Sequence, residues 1–344
     1  MSASRDTRVS ARGWTAALLC LSLLTPAAWA GRYAGEFLAL GGGARGLSMG
    51  QALVAGSNDA FSCFWNPAGL ALVDRRSVSG MAATQFGSLS DPLGVHTQLG
   101  LVWPIGGGNL ALNYVRFQVD DIPRFPGYDD ADYTFEERRR LIEESGGSPT
   151  GWFQSVDQAL LLSFAKRNEP KLHFGWLYRD IPLSMPIGLN VKMIRSELDG
   201  SLGSGIGLDA GGQIHAELAD LTGLKRLGRI SVGARLENFT NTGLKWDGGE
   251  DAIHYYHVLG LAWSAGLGGF SWTLSRDWDH HYDTQARSGL ELRYGGLALR
   301  AGHQGRDGRF TYGAGFQLGP LEMDYAGLDH DLGRLHRMSF IYAF

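Results

Sequence analysis

The stretch 309–318, RFTYGAGFQL, alternates large apolar residues with small or polar ones over its whole length. Successive side chains of a β-strand point to opposite faces, so this pattern predicts a strand with one apolar and one polar face. The apolar face would carry Phe310, Tyr312, Ala314, Phe316 and Leu318. The opposite face would carry Thr311, Gly313, Gly315 and Gln317. A sheet built from such strands needs an apolar environment on one side and a polar environment on the other.

The same alternation recurs from Ser77 to the end of the chain, in segments of about ten residues separated by turn signals. Clear examples are 187–193, 206–215, 230–237, 270–275 and 290–294. No apolar run outside the first thirty residues reaches the roughly 18 residues that a membrane-spanning helix requires. A soluble β-sandwich also alternates, but here the apolar faces end in Trp, Tyr or Phe, as lipid-facing strands do at the headgroup level. The sequence therefore predicts an all-β fold, a single transmembrane antiparallel β-barrel.

The connections between these strands alternate in length, which is typical of outer-membrane barrels. Tight turns, expected at the periplasmic side, are predicted at 104–108, 265–269, 295–296 and 319–320. Longer polar loops, expected outside, are predicted at 239–252, 277–284, 302–308, 327–335 and 120–150, the last with a charged piece, 135–144, that could form a helix. The weakest candidate strand, 172–178, is assigned to a long periplasmic connection. The remaining strands give an even number, about fourteen.

Composition agrees with this class of protein. Only 19% of the 344 residues are charged, against about 25% in a soluble domain. The 10 Trp, 12 Tyr and 16 Phe suit aromatic girdles at two membrane interfaces. The formal net charge of −4 provides no broad basic surface, so nucleic acid is not expected as a partner.

The first thirty residues have the features of a secretory signal peptide. A positive start precedes the apolar stretch 14–24, and Ala28-Trp29-Ala30 is a cleavage site of the A-x-A type. The positive residues are Arg5, Arg8 and Arg12. Cleavage after Ala30 predicts an exported protein of the cell outer membrane. One cysteine, Cys63, remains after cleavage, so no internal disulfide is expected.

Charged and amide side chains within the strands are predicted to face the lumen, because a charge on the lipid face costs up to about 2–4 kcal/mol near the midplane. The candidate lumen-facing polar residues are Lys192, Asp209, Gln213, Arg235, Glu237, Glu291 and Arg293. Both signs are present, and mixed charges more often brace a lumen and its plug than select ions.

The last strand carries a separate signal, because the alternating residues end in an aromatic side chain. Outer-membrane barrels commonly finish in this way, since the barrel assembly machinery reads the final strand. The predicted assembly signal consists of Phe340, Tyr342 and Phe344. Outer-membrane lipid and the assembly machinery are therefore the expected partners.

The stretch 41–72 reads GGGARGLSMGQALVAGSNDAFSCFWNPAGLAL. It resembles the N-terminal segment of the PorV/PorQ (UPF0164-like) outer-membrane family, which is related to FadL-type transporters of hydrophobic compounds. The matching elements are Gly43-Ala44-Arg45, Met49-Gly50, Asn58-Asp59-Ala60 and 65–70, with weaker matches at 119–122 and 332–337. The resemblance covers both ends of the chain and the general strand spacing.

This resemblance implies a fourteen-stranded barrel over 77–344 whose N-terminal segment, 31–76, folds into the lumen as a hatch, following the signal peptide 1–30. The hatch motif would be Asn66, Pro67, Ala68 and Gly69. The alternative is that this motif merely turns the chain into the first strand. Two features depart from the family. Gln51 stands where a further glycine is frequent, and 110–119 contains no Gly or Pro, so the kinked strand through which FadL-type transporters are thought to release ligand sideways is not signalled.

Two functions follow from the resemblance. The barrel would take up small hydrophobic compounds through a plugged lumen, with such a compound as ligand. Alternatively, it would be a non-transporting docking component of a type IX-like secretion system that binds exported protein cargo. Aromatic residues of the loops could form a sticky outer rim for cargo or anchor the barrel at the interface: Phe125, Tyr128, Tyr133, Trp246 and Trp278.

Other motifs were weighed and rejected. The run 41–46 matches G-x-G-x-x-G, but no strand–helix alternation follows it, so no cofactor is expected. Two clusters contain metal-ligating residue types but suit solvated loops better, so no metal site is predicted. They are Asp277, Asp279, His280, His281 and Asp283, and Asp120, Asp121, Asp129, Asp130 and Asp132. H-E-x-x-H does not occur, and the G-x-S-x-G match at 46–50 lies in the glycine-rich N-terminal stretch rather than at a strand-to-helix turn, so the protein is not predicted to be an enzyme.

Overall fold

The computed structural model describes residues 34–87, 91–125, 133–144, 146, 148–173, 180–281, 283–305, 308–330 and 332–344. The predicted signal peptide and four predicted loop residues lie outside these ranges. The four residues are Tyr128, Asp129, Asp130 and Asp132.

Strands make up most of the described chain. Their bounds are β1 Ser77–Gly87, β2 Pro92–Ile105, β3 Gly108–Arg124, β4 Gly151–Asn168, β5 Lys171–His173, β6 Asp180–Leu198, β7 Ser201–Glu217, β8 Arg229–Glu237, β9 Gly243–Trp246, β10 Gly249–Ala252, β11 Tyr256–Leu267, β12 Phe270–Asp279, β13 Gln285–Tyr294, β14 Leu297–Gln304, β15 Arg309–Leu318, β16 Leu321–His330 and β17 Gly333–Ala343. The α-helices are α1 Glu36–Ala39, α2 Ala44–Ser48, α3 Ser62–Trp65, α4 Phe135–Glu144 and α5 Leu218–Thr222, with 3-10 helices at Pro67–Leu72 and Lys225–Leu227. Within the described ranges, no helix is both long and apolar enough to cross a membrane.

Fourteen strands form one closed antiparallel barrel, as predicted. Neighbours along the chain pair with each other, except that β4 pairs with β6 and β8 pairs with β11. The barrel closes where β1 pairs with β17, from Ser77 opposite Ala343 to Gly87 opposite Gly333. The other three strands are short additions. β5 pairs with the start of β6, and the hairpin β9–β10 stands against β7. Of the segment 172–178, which was left out of the predicted wall, Leu172 and His173 belong to the short β5, and 174–178 lie outside the described residues.

One end of the barrel carries the tight turns. Gly106-Gly107, Gly268-Gly269 and Gly295-Gly296 connect strand pairs there, and most of these glycines have positive φ, which a two-residue hairpin turn requires. Both ends of the barrel chain lie at the same side, since the backbone N–H of Phe344 donates to the carbonyl of Arg76 at 2.8 Å. By the rule for outer-membrane barrels this end faces the periplasm.

The opposite, extracellular end has shorter connections than the sequence predicted. The predicted loops 277–284 and 302–308 begin within strands, since β12 extends to Asp279 and β14 to Gln304, and most of 327–335 belongs to β16 and β17. The connection between β6 and β7 is only the pair Asp199-Gly200. The predicted loop bounds were wrong because strands continue beyond the oily band, where polar residues no longer signal a loop. The predicted helix at 135–144 is confirmed as α4.

The wall is not of equal height around the barrel. β3, β4, β6 and β7 contain 17–19 residues, whereas β12 to β16 contain 8–10. At roughly 3.4 Å per residue, the 7–11 additional residues make the longer strands roughly 24–37 Å longer along their own direction. The tall side also carries the external loop with α4 and the hairpin β9–β10.

Burial is reversed relative to a soluble protein. Leu299 and Phe310 are 65% and 73% exposed, while Arg300 and Thr311, their neighbours along the same strands, are 4% and 2% exposed. The apolar side chains thus form the outer surface and the polar side chains line the interior. This arrangement is stable only where the outer surface meets lipid.

Candidate functional site

The segment 34–76, called the plug below, lies inside the barrel and contacts its inner surface on several sides. Its backbone N–H groups donate to inward-pointing side chains of distant strands. Gly43 donates to Gln98 on β2 at 3.3 Å, Gly50 to Thr311 on β15 at 3.0 Å, and Val54 to Asp277 on β12 at 2.9 Å. The wall therefore supplies partners for plug backbone groups that would otherwise be unsatisfied.

Glycines allow the backbone of the plug to pack closely against aromatic side chains and against the barrel wall. A Cβ added at Gly46 would overlap the Trp65 ring, and one added at Gly302 of β14 would overlap the backbone of Gly50. The Trp65 indole N–H in turn donates to the carbonyl of Gly42 at 2.7 Å. The glycine-rich start of the plug thus packs on the plug's own aromatic residues and on the wall.

Asn66 of the predicted hatch motif forms hydrogen bonds with both the plug and the barrel wall. Its side-chain oxygen accepts from the backbone N–H of Ala68 at 3.1 Å, which caps the 3-10 helix that begins at Pro67. Its side-chain nitrogen lies 2.8 Å from the carbonyl of Val54, 3.1 Å from that of Gly212 and 3.3 Å from that of Ala234. The residue thereby joins two parts of the plug to β7 and β8.

The other motif residues explain why small side chains follow. Pro67, Ala68 and Gly69 are all buried, and a Cβ at Gly69 would overlap the carbonyl of Ser57. Gly188 of β6 has no room for a Cβ either, because the backbone of Pro67 lies against it.

Arg45 of the plug is the centre of an ionic anchor. Its guanidinium lies 3.1 Å from Glu291 of β13 and 3.0 Å from Asp59 of the plug, and it donates to Asn58 at 2.7 Å. Burial alone would lower the pKa of Arg45, but Glu291 and Asp59, with Glu322, raise that pKa well above its ordinary value. Arg45 is therefore charged at every physiological pH.

The ion pairs continue from Glu291 to neighbouring strands of the barrel wall. Glu291 also contacts Arg300 of β14 at 2.6 Å and Arg293 of its own strand at 3.0 Å. Arg300 reaches Asp324 of β16 at 2.6 Å, and Arg293 reaches Glu322 of the same strand at 3.1 Å. We call β13 to β16, with these side chains, the charged wall.

A second polar cluster occupies β6 to β8. The Lys192 amine lies 2.7 Å from Asp209, and Arg235 lies 2.9 Å from Glu237. Arg235 donates to the carbonyl of plug residue Phe64 at 2.5 Å. All four charged side chains are buried, and their charges balance.

Gln213 lies beside this second cluster, on β7, and holds the plug from another direction. Its amide nitrogen is 3.0 Å from the carbonyl of Val54 and 2.9 Å from the Ser57 hydroxyl. The seven predicted lumen-facing residues thus fall into two groups, one around Glu291 and one around Asp209 and Gln213.

β1 to β4 present a different inner surface, which we call the uncharged wall. Its inward side chains are neutral apart from Asp157 and Arg167 near opposite ends of β4. Buried apolar residues of the plug pack here on apolar residues of the wall: Phe37, Phe61, Phe64 and Leu70 on Met81, Val102, Val115 and Leu161. Amides add single hydrogen bonds, such as that from Gln98 to the carbonyl of Gly41 at 2.8 Å.

A polar cavity of about 560 Å³ lies at the turn end, between the plug and β7 to β16. Its lining includes Arg45, His215, Ser231, Thr273, Arg293 and Glu322. The plug is therefore bordered by polar groups on its periplasmic side and by apolar side chains along the uncharged wall.

Sequence reasoning missed several residues of this site. Arg300 and Arg337 are buried, and Arg337 donates to the carbonyls of Leu40 and Gly43 at 3.0 and 3.3 Å. The signal for Arg300 was present, since it alternates with the apolar Leu299 and Ala301. Arg45 had been noted only as part of a resemblance.

Two members of the predicted metal-type cluster at 277–283 do not belong to a solvated loop. Asp277 is buried on β12 and faces the plug, and Asp279 pairs with Arg287 at 2.6 Å. The loop prediction was wrong for these two residues because an aspartate can also lie in a strand and face the lumen. The described residues contain no group of three or more metal-ligating side chains.

The predicted assembly signal lies on the outer surface, and two of the predicted loop aromatics lie in strands. Phe340, Tyr342 and Phe344 are about half exposed, and Phe340 covers Gly80 of β1. Trp278 is on β12 and Trp246 packs over Gly203, so neither belongs to a free loop rim.

Comparison with known proteins gives information on the fold. No protein-family model matches the chain, and no curated protein matches it. Among solved structures, the toluene transporter TodX of P. putida has a TM-score of 0.50 at 11% identity, over 88% of this chain and 99% of that one.

Two further structures are similar to a lesser degree. The toluene transporter TbuX of Ralstonia pickettii has a TM-score of 0.49 at 11% identity, over 88% of this chain and 98% of that one. A Pseudomonas aeruginosa FadL homologue has a TM-score of 0.42 at 14% identity, over the same shares. The likeness to TodX concerns the fold, which in this chain is a closed fourteen-stranded outer-membrane β-barrel with the plug inside it.

Proposed function

We propose that this protein takes up small hydrophobic compounds across the outer membrane, between the plug and the uncharged wall. The observation that carries the proposal is the unequal boundary of the plug. Ion pairs hold it on one side, and mainly apolar contacts hold it on the other. TodX and TbuX, with similar folds, are toluene transporters.

The apolar boundary offers the easier route for such a ligand. Opening a gap beside Phe64 and Val115 separates apolar surfaces, and a hydrophobic ligand would restore the lost contacts. Opening the charged wall would leave buried charges without partners, which costs about 3–5 kcal/mol. A ligand without charge therefore favours the first route.

Lateral release through a kinked early strand gains no support. The pairing of β3 with β4 runs without interruption from Asn109 to Val119, and its register shifts only between Val119 and Ile122. The irregularity lies near the extracellular end of β3, where Asp121 has a positive φ of 53°.

Narrowing the apolar boundary tests the proposal. Val115 points inward and is buried, so Val115→Trp should reduce uptake of radiolabelled toluene by cells at least tenfold, and Val115→Ala should increase it. Val232→Trp, on the exposed outer face of β8, is the matched control. Heat-modified gel mobility would verify that each variant is folded.

The proposal fails if both Val115 variants take up toluene at the parental rate, or if uptake of a small sugar changes in parallel. Mass spectrometry of gently purified protein adds an independent measurement, since a bound apolar compound should be lost in Val115→Trp.

The secretion-docking alternative is not proposed, since none of the similar structures described above is a secretion component. The PorV/PorQ resemblance, cleavage after Ala30 and recognition of Phe344 by the assembly machinery stay predictions.

A further inference from the structure

One row of outward-facing side chains crosses the tall side of the barrel. The strand pairings place Thr97 opposite Arg116, Arg116 opposite Gln158, Gln158 opposite Arg195, Arg195 opposite Ser204, and Ser204 opposite Lys245. Residues directly opposite in a ladder share a face, so these six side chains are neighbours on the outer surface. Three of them are cationic.

This row carries the first charged side chains on the outer face of β3 and β6, counted from the turn end. On each strand the outward residue one position nearer the turn end is apolar or aromatic. These residues are Leu99, Tyr114, Leu160, Met193 and Ile206. The next outward positions beyond the row are polar on β3 and β6, where they are Gln118 and Glu197, and apolar on β2 and β7, where they are Val95 and Leu202. Arg116 and Arg195 therefore lie where the outer face of β3 and β6 changes from apolar to polar, which is the level expected for lipid headgroups of the outer leaflet.

The two arginines have no ion-pair partner among the residues that the structure describes. Arg195 is exposed, and the Nε of the half-buried Arg116 has no hydrogen-bond partner within the described chain. Gln158 between them accepts from the Tyr114 hydroxyl at 2.9 Å and keeps its amide N–H groups for another partner. Glu197 lies one position farther out, and Glu250 is opposite Lys245.

An apolar groove of about 820 Å³ adjoins this row on the outer surface. It crosses β14 to β17 and β1 to β3, where Gly80, Ala82 and Ala314 provide little side-chain bulk. Larger apolar residues form its sides: Leu99, Phe316, Met323, Met338 and Phe340. Thr97 and Tyr114 border both the groove and Arg116, so the two features are continuous.

We propose that this face binds a phosphorylated lipid of the outer leaflet, with acyl chains in the groove and a phosphate between Arg116 and Arg195. The two backbones are two strand spacings apart, roughly 10 Å, which two arginine side chains can span onto one phosphate. Guanidinium groups bind phosphate oxygens in a bidentate manner. The groove supplies the apolar half of the same ligand, and the site is independent of the proposed transport route through the lumen.

Retention of lipid by the purified barrel tests this site. Detergent-solubilised protein is stripped of lipid and incubated in micelles with either bisphosphorylated lipid A or dephosphorylated lipid A, and bound lipid is quantified by native mass spectrometry. The parent should retain the phosphorylated form preferentially. Arg116→Gln with Arg195→Gln should reduce its retention at least fivefold, since both guanidinium groups that would bind the phosphate are lost.

Matched variants separate the two halves of the site. Ala82→Phe should reduce retention of both lipids by filling the groove, while Ala301→Phe, another exposed outward alanine, should not. Arg276→Gln changes an outward arginine on β12 that contacts Ser288, and should leave retention unchanged. Equal retention of the two lipids by the parent, or parental retention in the double arginine variant with unchanged thermal stability, would overturn the proposal.

Discussion

The charged wall and the uncharged wall hold the same plug by different physics. On the charged wall, Arg45 and Glu291 form a short ion pair that continues through Arg300 to Asp324. On the uncharged wall, Phe61 and Phe64 pack on apolar side chains. Ion pairs demand one geometry, whereas apolar contacts tolerate sliding and re-formation. A plug can therefore be fixed in position on one side and still let a ligand pass along the other.

The largest expected effect comes from removing the centre of the charged wall. Glu291→Ala leaves three arginines, Arg45, Arg293 and Arg300, without their shared carboxylate. Removing one partner of a buried ion pair costs about 3–5 kcal/mol. Thermal unfolding in detergent should show this loss, and limited proteolysis should show faster cleavage of the plug.

The matched change on the uncharged wall is Gln98→Ala. It removes hydrogen bonds to Gly41 and Gly43, which should cost about 1–3 kcal/mol. If Gln98→Ala proves as damaging as Glu291→Ala, the two walls do not differ in the way described.

A second prediction tests which face of β12 meets lipid. Leu274 and Thr273 are adjacent on β12, and Leu274 is 45% exposed on the outer surface while Thr273 lines the polar cavity. Leu274→Arg should cost about 2–4 kcal/mol and impair assembly, because it places a charge in the oily band. Thr273→Arg should assemble normally. Comparable yields of both folded variants in outer-membrane fractions would refute the assigned facing.

A third prediction concerns the strands between the two walls. Asn66→Ala with Pro67→Ala removes the cap of the 3-10 helix and the contacts with the carbonyls of Gly212 and Ala234. The loss should be about 1–3 kcal/mol, since buried backbone groups lose their partners. Planar-bilayer recordings should show a higher conductance than for the parent. Parental conductance would mean that Asn66 does not keep the plug closed.

Much of the wall could be predicted from the sequence, because alternation is a local property. The period of two that is visible in 309–318 fixes which side chains of β15 face lipid. The turn at Gly295-Gly296 could be predicted for the same reason, since a tight hairpin needs residues that adopt positive φ.

The ionic anchor could not be predicted, because it depends on register and closure. Arg45 and Glu291 are 246 positions apart and meet only when β17 pairs with β1 and the plug folds back inside. The polarity of a residue also does not show whether it faces the lumen or lies in a loop, as the burial of Asp277 demonstrates.

The backbone conformation of Gln51 is a further feature that the sequence did not predict. The residue adopts a φ of 63°, a left-handed conformation that favours the glycine frequent in the resembling family.

The smallest expected effect is a pH dependence at the extracellular end of the plug. His281 follows β12, stacks on Tyr256 with ring centroids 4.0 Å apart, and lies 3.6 Å from Glu36 of the plug helix α1. Burial lowers the pKa of His281, against the opposite effect of Glu36 and Asp279, while Arg287 lowers it further.

A lowered pKa means that the folded protein binds the proton more weakly than the unfolded chain, whose histidine pKa is about 6.5. The contribution of neutral His281 to stability is therefore complete above about pH 6.5 and is lost as the pH falls through the lower folded value. Unfolding midpoints should accordingly fall less between pH 7.5 and 5 in His281→Gln than in the parent. His173→Gln, at the periplasmic end, is the control and should preserve the parental slope. An identical slope in all three proteins would show that His281 does not couple the plug to the extracellular end of β12.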